Sequence, residues 1–154
     1  MKATILIAIV AVVIVSCNSA SNKTASTGTA LPIQGTWRLL KGTLIQKKDT
    51  TVTNYTKNQK FIKIINGDHF SFLLHDLTKG KGTAPVFSAG GGSYTLVGDQ
   101  YTENLEFCND REFENNKFTF TITIKGDTLV QKGIEKVDSL KLNRYNTEEY
   151  IRIK

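Results

Sequence analysis

The sequence predicts an all-β protein, a small up-and-down antiparallel β-barrel of about eight strands. Short segments alternate apolar and polar residues, and Gly, Asn and Asp mark tight turns between them. No stretch of about ten residues shows strong helical periodicity. An open sheet of this kind would expose long edges, and closing the sheet into a barrel removes them.

The clearest strand is predicted over residues 117–125. Its even-numbered positions from Phe118 to Ile124 are apolar, and its odd-numbered positions are threonine or lysine. This alternation is typical of a strand with one buried and one solvated face. The other strands are predicted over residues 37–45, 60–65, 69–75, 93–97, 101–107, 128–134 and 149–153.

The predicted breaks contain residues that tolerate positive φ. Asn66-Gly67-Asp68 and the Gly-Asp pairs at 98–99 and 126–127 predict tight hairpin turns. The three glycines at 90–92 predict a bulge or a bend where the sheet curls. Residues 135–142 are compatible with one or two helical turns.

The N-terminus has the pattern of an export signal. Lys2 precedes a largely apolar run over residues 3–15, which is shorter than the ~20 residues that a membrane-spanning helix needs. The run ends in Ile14-Val15-Ser16-Cys17, which resembles the lipobox of bacterial lipoproteins. The resemblance implies cleavage before Cys17 and acylation of Cys17. The alternative is an ordinary signal peptide followed by a chance cysteine.

These features divide the chain into a signal peptide (1–16), a lipidated cysteine with a flexible tether (17–30) and a barrel domain (31–154). The tether is made of small polar residues that cannot form a core. Residue 18 is Asn rather than the Asp that often retains lipoproteins in the inner membrane. We therefore expect a lipid-anchored protein on the periplasmic face of the outer membrane.

Composition limits the partners. The precursor carries a net charge of +6, with basic residues concentrated before residue 65. This basic region could meet anionic headgroups or glycans, or it is an unevenly charged solvated face. We expect a monomer. We expect no nucleic-acid partner, because the predicted signal would export the chain. With Cys17 acylated, Cys108 has no intrachain disulfide partner.

The start of the domain, Gly35-Thr36-Trp37, resembles the first strand of the lipocalins and fatty-acid-binding proteins. In those folds the tryptophan closes one end of the barrel, and an arginine of the last strand often lies across the indole. The resemblance implies these roles for Trp37 and Arg152. Arg over an indole face is also a favourable cation–π contact.

The whole domain is similar to a family of small lipocalin-like lipoproteins of unknown function that is common in Bacteroides-like bacteria. The matching stretches cover most of residues 31–154 and include 69–72, 75–77, 89–95, 101–103 and 126–133. The resemblance implies a fold and a location and supplies no activity. Strict lipocalins have a long helix after the barrel, and we expect no such helix here.

Glu103 is the candidate polar residue of the interior. If Tyr101, Leu105 and Phe107 face inward, the period of two places Glu103 inward as well; the reverse register would instead turn Glu106 inward. A buried carboxylate needs a partner, for which Arg111 is the candidate. The residues predicted to bind a ligand are Phe70, Phe72, Tyr94, Tyr101, Glu103, Arg111, Phe118 and Phe120.

The sequence contains few catalytic or metal-binding patterns, and we expect no metal and no cofactor. His69 and His75 flank one strand and would lie about 20 Å apart at ~3.3 Å per residue, too far to share a metal. We interpret His69 as a turn residue and His75-Asp76 as a hydrogen-bonded strand end. For Cys108 a small, buried, apolar role is favoured over a nucleophile.

Three functions follow from this reading. The first is a binding module whose barrel holds a small apolar or amphipathic ligand. The second is an interaction protein with a filled barrel that binds another envelope protein or a glycan through loops 79–92 and 109–116. The third, an enzyme, is disfavoured because no catalytic set is visible. The volume of the interior distinguishes the first two, since eight strands either fill their interior or leave room for one small ligand.

Overall fold

A computed structural model describes residues 31–154. Tight turns and alternating side chains define nine strands, with one short 3₁₀ helix (Arg111–Phe113) between the sixth and seventh. The strands are β1 (Gly35–Gln46), β2 (Asp49–Asn54), β3 (Gln59–Ile65), β4 (His69–Asp76), β5 (Phe87–Val97), β6 (Gln100–Cys108), β7 (Asn116–Lys125), β8 (Thr128–Val137) and β9 (Leu142–Ile153).

The strands form one antiparallel sheet in which each strand from β3 to β8 pairs with the next along the chain. The sheet closes because β1 pairs with β9 along most of its length and with β3 over Gly35 to Arg38. The second half of β1 pairs with β2, which lies outside the closed barrel of eight strands. The predicted all-β, lipocalin-like barrel is confirmed.

The predicted turns and the glycine bulge lie where the sequence indicated. At the β3–β4 turn, the Asn66 side-chain oxygen accepts hydrogen bonds from the backbone N–H groups of Asp68 (3.1 Å) and His69 (2.8 Å). The register of β5 against β6 shifts between Gly91 and Gly92. A Cβ on Gly92 would collide with the carbonyl oxygen of Asn104, so the bulge brings two backbones closer than a side chain allows.

Several elements differ from the prediction, including the start of β5, which begins at Phe87 rather than at residue 93. β2 has no apolar face, because five of its six residues are exposed, and therefore gave no alternation to detect. Residues 135–142 are not helical: β8 continues to Val137 and β9 begins at Leu142, after a four-residue turn. The sequence predicts a start of β9 at residue 149, because the inward-facing residues Arg144, Asn146 and Glu148 are polar and hide the alternation.

Trp37 and Arg152 close one end of the barrel, which we call the closed end. Trp37 is completely buried, and its indole N–H donates to the carbonyl oxygen of Ile33 (2.7 Å). The Arg152 guanidinium carbon lies 4.0 Å from the centre of the indole ring. Its two terminal nitrogens donate to the carbonyl oxygens of Gln34 and Pro32, each at 2.6 Å, and so hold residues 31–34 across the end.

Side chains fill the barrel above this plug. The fully buried members of this core include Leu39, Tyr101, Ile122, Leu129 and Tyr150. They come from β1, β6, β7, β8 and β9 and face one another because their registers align, as in the pairing of Leu129 with Tyr150. The closed half therefore has a packed interior without room for a ligand.

Candidate functional site

The other half of the barrel, which we call the open half, contains a cavity of about 320 Å³. It begins where β1 passes the bulge after Leu39 and continues towards the hairpin of β1 and β2. Its apolar wall consists of Leu44, Tyr55, Phe61, Phe72, Leu74, Leu105, Cys108, Phe113, Phe118 and Phe120, and its polar wall of Thr53, Lys63, Ser88, Glu103, Asp110, Gln131, Glu135, Arg144, Asn146 and Glu148; Gly42 completes the lining.

Aromatic rings form one side of this cavity. Phe61 lies at their centre, stacked on Phe72 with 5.9 Å between ring centroids and edge-on to Tyr55 at 5.7 Å. Phe61 also meets the ring of Tyr150 at 6.4 Å, which joins the cavity wall to the packed core. These separations fall in the favourable range for aromatic pairs, so the wall is preformed.

A buried lysine forms the floor, between the two halves. The Lys63 ammonium donates to Glu103 Oε1 (2.7 Å) and to Gln131 Oε1 (3.1 Å), and its nitrogen lies 4.0 Å from Glu148 Oε2. The rings of Phe70, Tyr101 and Tyr150 surround the same nitrogen at 5.6 to 5.9 Å. A buried charge persists only when it is paired and hydrogen-bonded, and Lys63 meets both conditions.

The floor keeps its charges because they compensate one another. Burial alone would lower the pKa of Lys63, but Glu103 and Glu148 outweigh burial and raise it. Burial and the charge of Glu148 raise the pKa of Glu103, and the neighbouring Lys63 offsets this rise only in part. The environment therefore stabilises the charged form of Lys63 and destabilises the charged form of Glu103.

A second polar cluster lies on the β8 and β9 side of the cavity. Arg144 Nε donates to Glu135 Oε2 at 2.6 Å, and the Asn146 amide donates to Glu135 Oε1 at 2.7 Å. The register places these residues inward, since Glu135 pairs with Arg144 and Gly133 pairs with Asn146. Both oxygens of Glu135 are thus occupied.

The structure brings together half of the predicted ligand-binding residues. Phe72, Glu103, Phe118 and Phe120 line the cavity. Phe70 and Tyr101 are buried below its floor, against Lys63. The Tyr94 hydroxyl donates to the carbonyl oxygen of Asn66 at the β3–β4 turn, at the closed end of the barrel.

The predicted partner of Glu103 is corrected. Glu103 faces inward and is 7% exposed, but its partner is Lys63. Arg111 is exposed and pairs with Glu114 (2.9 Å), because it lies in the short helix after β6 rather than over the interior. Glu106 lies outside and accepts hydrogen bonds from Ser93, so the reverse register does not occur. Phe107, which was predicted to face inward with Tyr101 and Leu105, is instead 67% exposed, because the bulge opposite Gly91 and Gly92 breaks the period of two in β6 after Leu105.

Most polar residues of the cavity were not predicted from the sequence. Lys63 is two positions from both Phe61 and Ile65, and Glu148 is two positions from Tyr150, so each lies on the same face of its strand as these apolar residues. That period of two was the available signal. It was overlooked because a charged residue in a strand normally indicates the solvated face.

His69 and Cys108 lie in different parts of the barrel. His69 is exposed and contacts Asp68, whose hydrogen bond raises the pKa of the imidazole. Cys108 is half-buried in the cavity wall, and burial raises the pKa of its thiol. Among residues 31–154, no three His, Cys, Asp or Glu side chains converge as metal ligands would.

A second depression, of about 370 Å³, lies outside the barrel beside the loop that joins β4 and β5. Asp76 organises this loop: its carboxylate accepts hydrogen bonds from the Thr78 hydroxyl (2.6 Å) and from the backbone N–H groups of Thr78, Gly80 and Val86. These donors hold the pKa of Asp76 well below its usual range. The carboxylate is used by the loop itself.

Comparison with known proteins gives no family: neither a family model nor a curated protein matches the chain. No helix with the length and apolar character of a membrane span occurs within residues 31–154. The interior of the barrel is therefore the main guide to function.

Proposed function

We propose that this protein is a binding module that holds a small apolar or amphipathic ligand in the open half of its barrel. The observation that carries the proposal is the preformed cavity of about 320 Å³, at the lower end of the roughly 300 to 1,000 Å³ typical of small-molecule sites. Its apolar wall would supply affinity, and its few converging polar groups would orient the ligand.

Lipid anchoring is a second part of this proposal. Cys17, the signal peptide and the tether lie outside the described residues, so the sequence pattern alone supports anchoring. An anchored barrel on the periplasmic face of the outer membrane would collect ligands that partition into envelope lipids. Its similarity to lipocalin-like lipoproteins is compatible with such a role.

Native mass spectrometry and a titration test the binding function. Full-length protein purified from its own host is expected to carry a small molecule that is lost on denaturation. The emptied protein should bind the neutral apolar dye N-phenyl-1-naphthylamine saturably, with one site per chain. Absence of both the molecule and saturable dye binding would contradict the proposal.

The anchor has its own test. Cys17→Ser should abolish incorporation of radiolabelled palmitate and release the protein from the membrane fraction, or leave it uncleaved. A variant that is cleaved and remains with membranes as the wild type does would contradict lipid attachment at Cys17.

An apolar patch on the outer face favours a second candidate, an interaction protein. Phe87 and Phe107 are each 67% exposed, and Leu73 is exposed beside them on β4. A double Phe87→Ser, Phe107→Ser variant should still bind the dye if the cavity is the functional site. Loss of a partner recovered by crosslinking in the host envelope, with dye binding intact, would favour the interaction function.

A further inference from the structure

The charges that line the cavity do not balance. Two side chains are cationic, Lys63 and Arg144, whereas the carboxylates are Glu103, Glu135, Glu148 and, at the exposed mouth, Asp110. The excess of carboxylates lies in an apolar enclosure, where charge is felt more strongly than in water.

Close ion pairs account for every charged side chain that lines the cavity except Glu148 and the exposed Asp110. Lys63 donates to Glu103, and Arg144 donates to Glu135. Glu148 has no cation of its own: its Oε2 accepts the Tyr150 hydroxyl at 2.6 Å, and its nearest cationic atom is the Lys63 nitrogen at 4.0 Å. That ammonium already donates to two other oxygens. Glu148 therefore lines the cavity with its charge only partly compensated.

The negative charge of the carboxylates also raises the pKa of the nearby tyrosine hydroxyls. Burial and then the charge of Glu148 raise the pKa of Tyr55 and of Tyr150. Tyr101 lies one inward position below Glu103, is completely buried, and its hydroxyl has no hydrogen-bond partner within residues 31–154. Burial and the charge of Glu103 raise its pKa as well. These tyrosines therefore stay neutral and leave the negative charge of the site on its carboxylates.

The geometry points to a small amphipathic organic cation as the occupant, with its ammonium head at Glu148 and its aromatic or alkyl tail against Phe61, Phe72 and Phe118. An ammonium donates hydrogen bonds to a carboxylate, and the faces of aromatic rings attract it further. This inference rests on the proposed binding function and specifies its ligand class.

An anionic ligand fits this interior less well. Lys63 is enclosed by its carboxylate and amide partners and by three rings. Arg144 is the one cation at the wall within reach of an anion, and Glu135 already holds its Nε. An anionic head would also enter the field of Glu148, and like charges in a low dielectric repel. An anion is therefore the opposing outcome of the test.

Three ligands that share a phenylbutyl tail separate these possibilities. We would measure the affinities of 4-phenylbutylamine, 4-phenylbutan-1-ol and 5-phenylpentanoate for the full chain at pH 7 by titration calorimetry. The amine should bind about ten- to a hundredfold more tightly than the alcohol, the value of a hydrogen bond to a charged group. The carboxylate should bind most weakly.

Glu148→Gln tests the assigned residue. It keeps the shape and an oxygen for the Tyr150 hydroxyl but removes the charge, so the preference for the amine over the alcohol should fall to within about threefold. The matched control is Glu149→Gln, which removes the same charge from the outer face of β9, where Glu149 pairs with Lys41. This control should keep the preference of the wild type, and unfolding curves of both variants would verify that they fold.

The outcomes distinguish this inference from the binding function on which it rests. Binding of the alcohol with equal or tighter binding of the carboxylate overturns the cationic ligand and leaves the binding function intact. An amine preference that survives Glu148→Gln overturns the role of Glu148. Failure of all three ligands and of N-phenyl-1-naphthylamine to bind overturns the binding function itself.

Discussion

The closed and open halves of the barrel are built from the same strands and differ in what those strands turn inward. On β1, Trp37 and Leu39 are completely buried in the closed half, whereas Gly42 and Leu44 line the cavity beyond the bulge. On β9, Tyr150 belongs to the packed core, and Arg144 and Asn146 belong to the polar wall. The closed half is filled by apolar side chains, whereas the open half combines an apolar wall with charged groups.

This difference shows how a small barrel combines a packed core with a binding cavity. Packed apolar side chains supply most of the favourable free energy of folding. A cavity lowers stability because the atoms that line it lack contacts on one side. Buried charges lower it because the loss of hydration offsets their attraction. The Lys63 network lies at the boundary and seals the packed core from the cavity.

The largest effect is expected in the closed half. Trp37→Ala should lower the free energy of unfolding by about 3 to 5 kcal/mol, because it leaves a large void under Arg152. Denaturant unfolding followed by circular dichroism measures this loss. A loss below about 1 kcal/mol would contradict the closed-end packing.

Removing the charge at the boundary should have a similar or slightly smaller effect. Lys63→Met leaves the buried Glu103 without a cation and should cost about 3 to 5 kcal/mol at pH 7. The cost should shrink as the pH falls towards 5, because protonation of Glu103 removes its unpaired charge, and the raised pKa of Glu103 brings that protonation closer to neutrality.

The double variant Lys63→Met, Glu103→Leu is the control for this effect. Replacing both partners removes the unpaired charge of Glu103, so most of the lost stability should return. A double variant as unstable as Lys63→Met alone would show that packing around the lysine, and not its charge, holds the floor.

Two leucines of β1 provide a matched comparison of the halves. Leu39→Ala should cost about 2 to 5 kcal/mol, because Leu39 is fully buried in the packed half. Leu44→Ala should cost less than about 1 kcal/mol, because Leu44 is half-buried beside the cavity and leaves no new void. Equal costs in chemical denaturation would remove the distinction between the halves.

The smallest effect concerns the loop after β4. The folded-state pKa of Asp76 is depressed from 3.8, so its stabilisation is present above pH 3.8 and is lost as the pH falls below it. Asp76→Asn should destabilise the protein at pH 7, since an amide replaces the oxygen that accepts the Val86 N–H. The difference from wild type should narrow in unfolding curves recorded below pH 4; a constant difference would contradict the role of the charge.

The sequence predicted the closed half better than the open half for a physical reason. Where apolar side chains face inward, as over residues 117–125, the period of two is visible. In the first part of β9, Arg144, Asn146 and Glu148 face inward, so polar residues occur on both faces and this part of the strand was not predicted. β2 was missed because neither of its faces is apolar.

Pairing across the interior was beyond a single sequence. The parity of Glu103 indicated that it faces inward, but its partner Lys63 lies 40 positions earlier and meets it only through the closure of the sheet. Arg111 is closer to Glu103 in sequence, and this proximity made it the predicted partner. Register and closure, which depend on the whole fold, decide such contacts.

A tryptophan placed inside or outside the open half tests its role as a binding site most directly. Leu44→Trp should fill part of the cavity, and Thr43→Trp places the same ring on the outer face of β1. We expect Leu44→Trp to weaken the binding of N-phenyl-1-naphthylamine by at least about tenfold in titration calorimetry, with Thr43→Trp binding as wild type does. Equal affinities of the two folded variants would contradict binding in the open half.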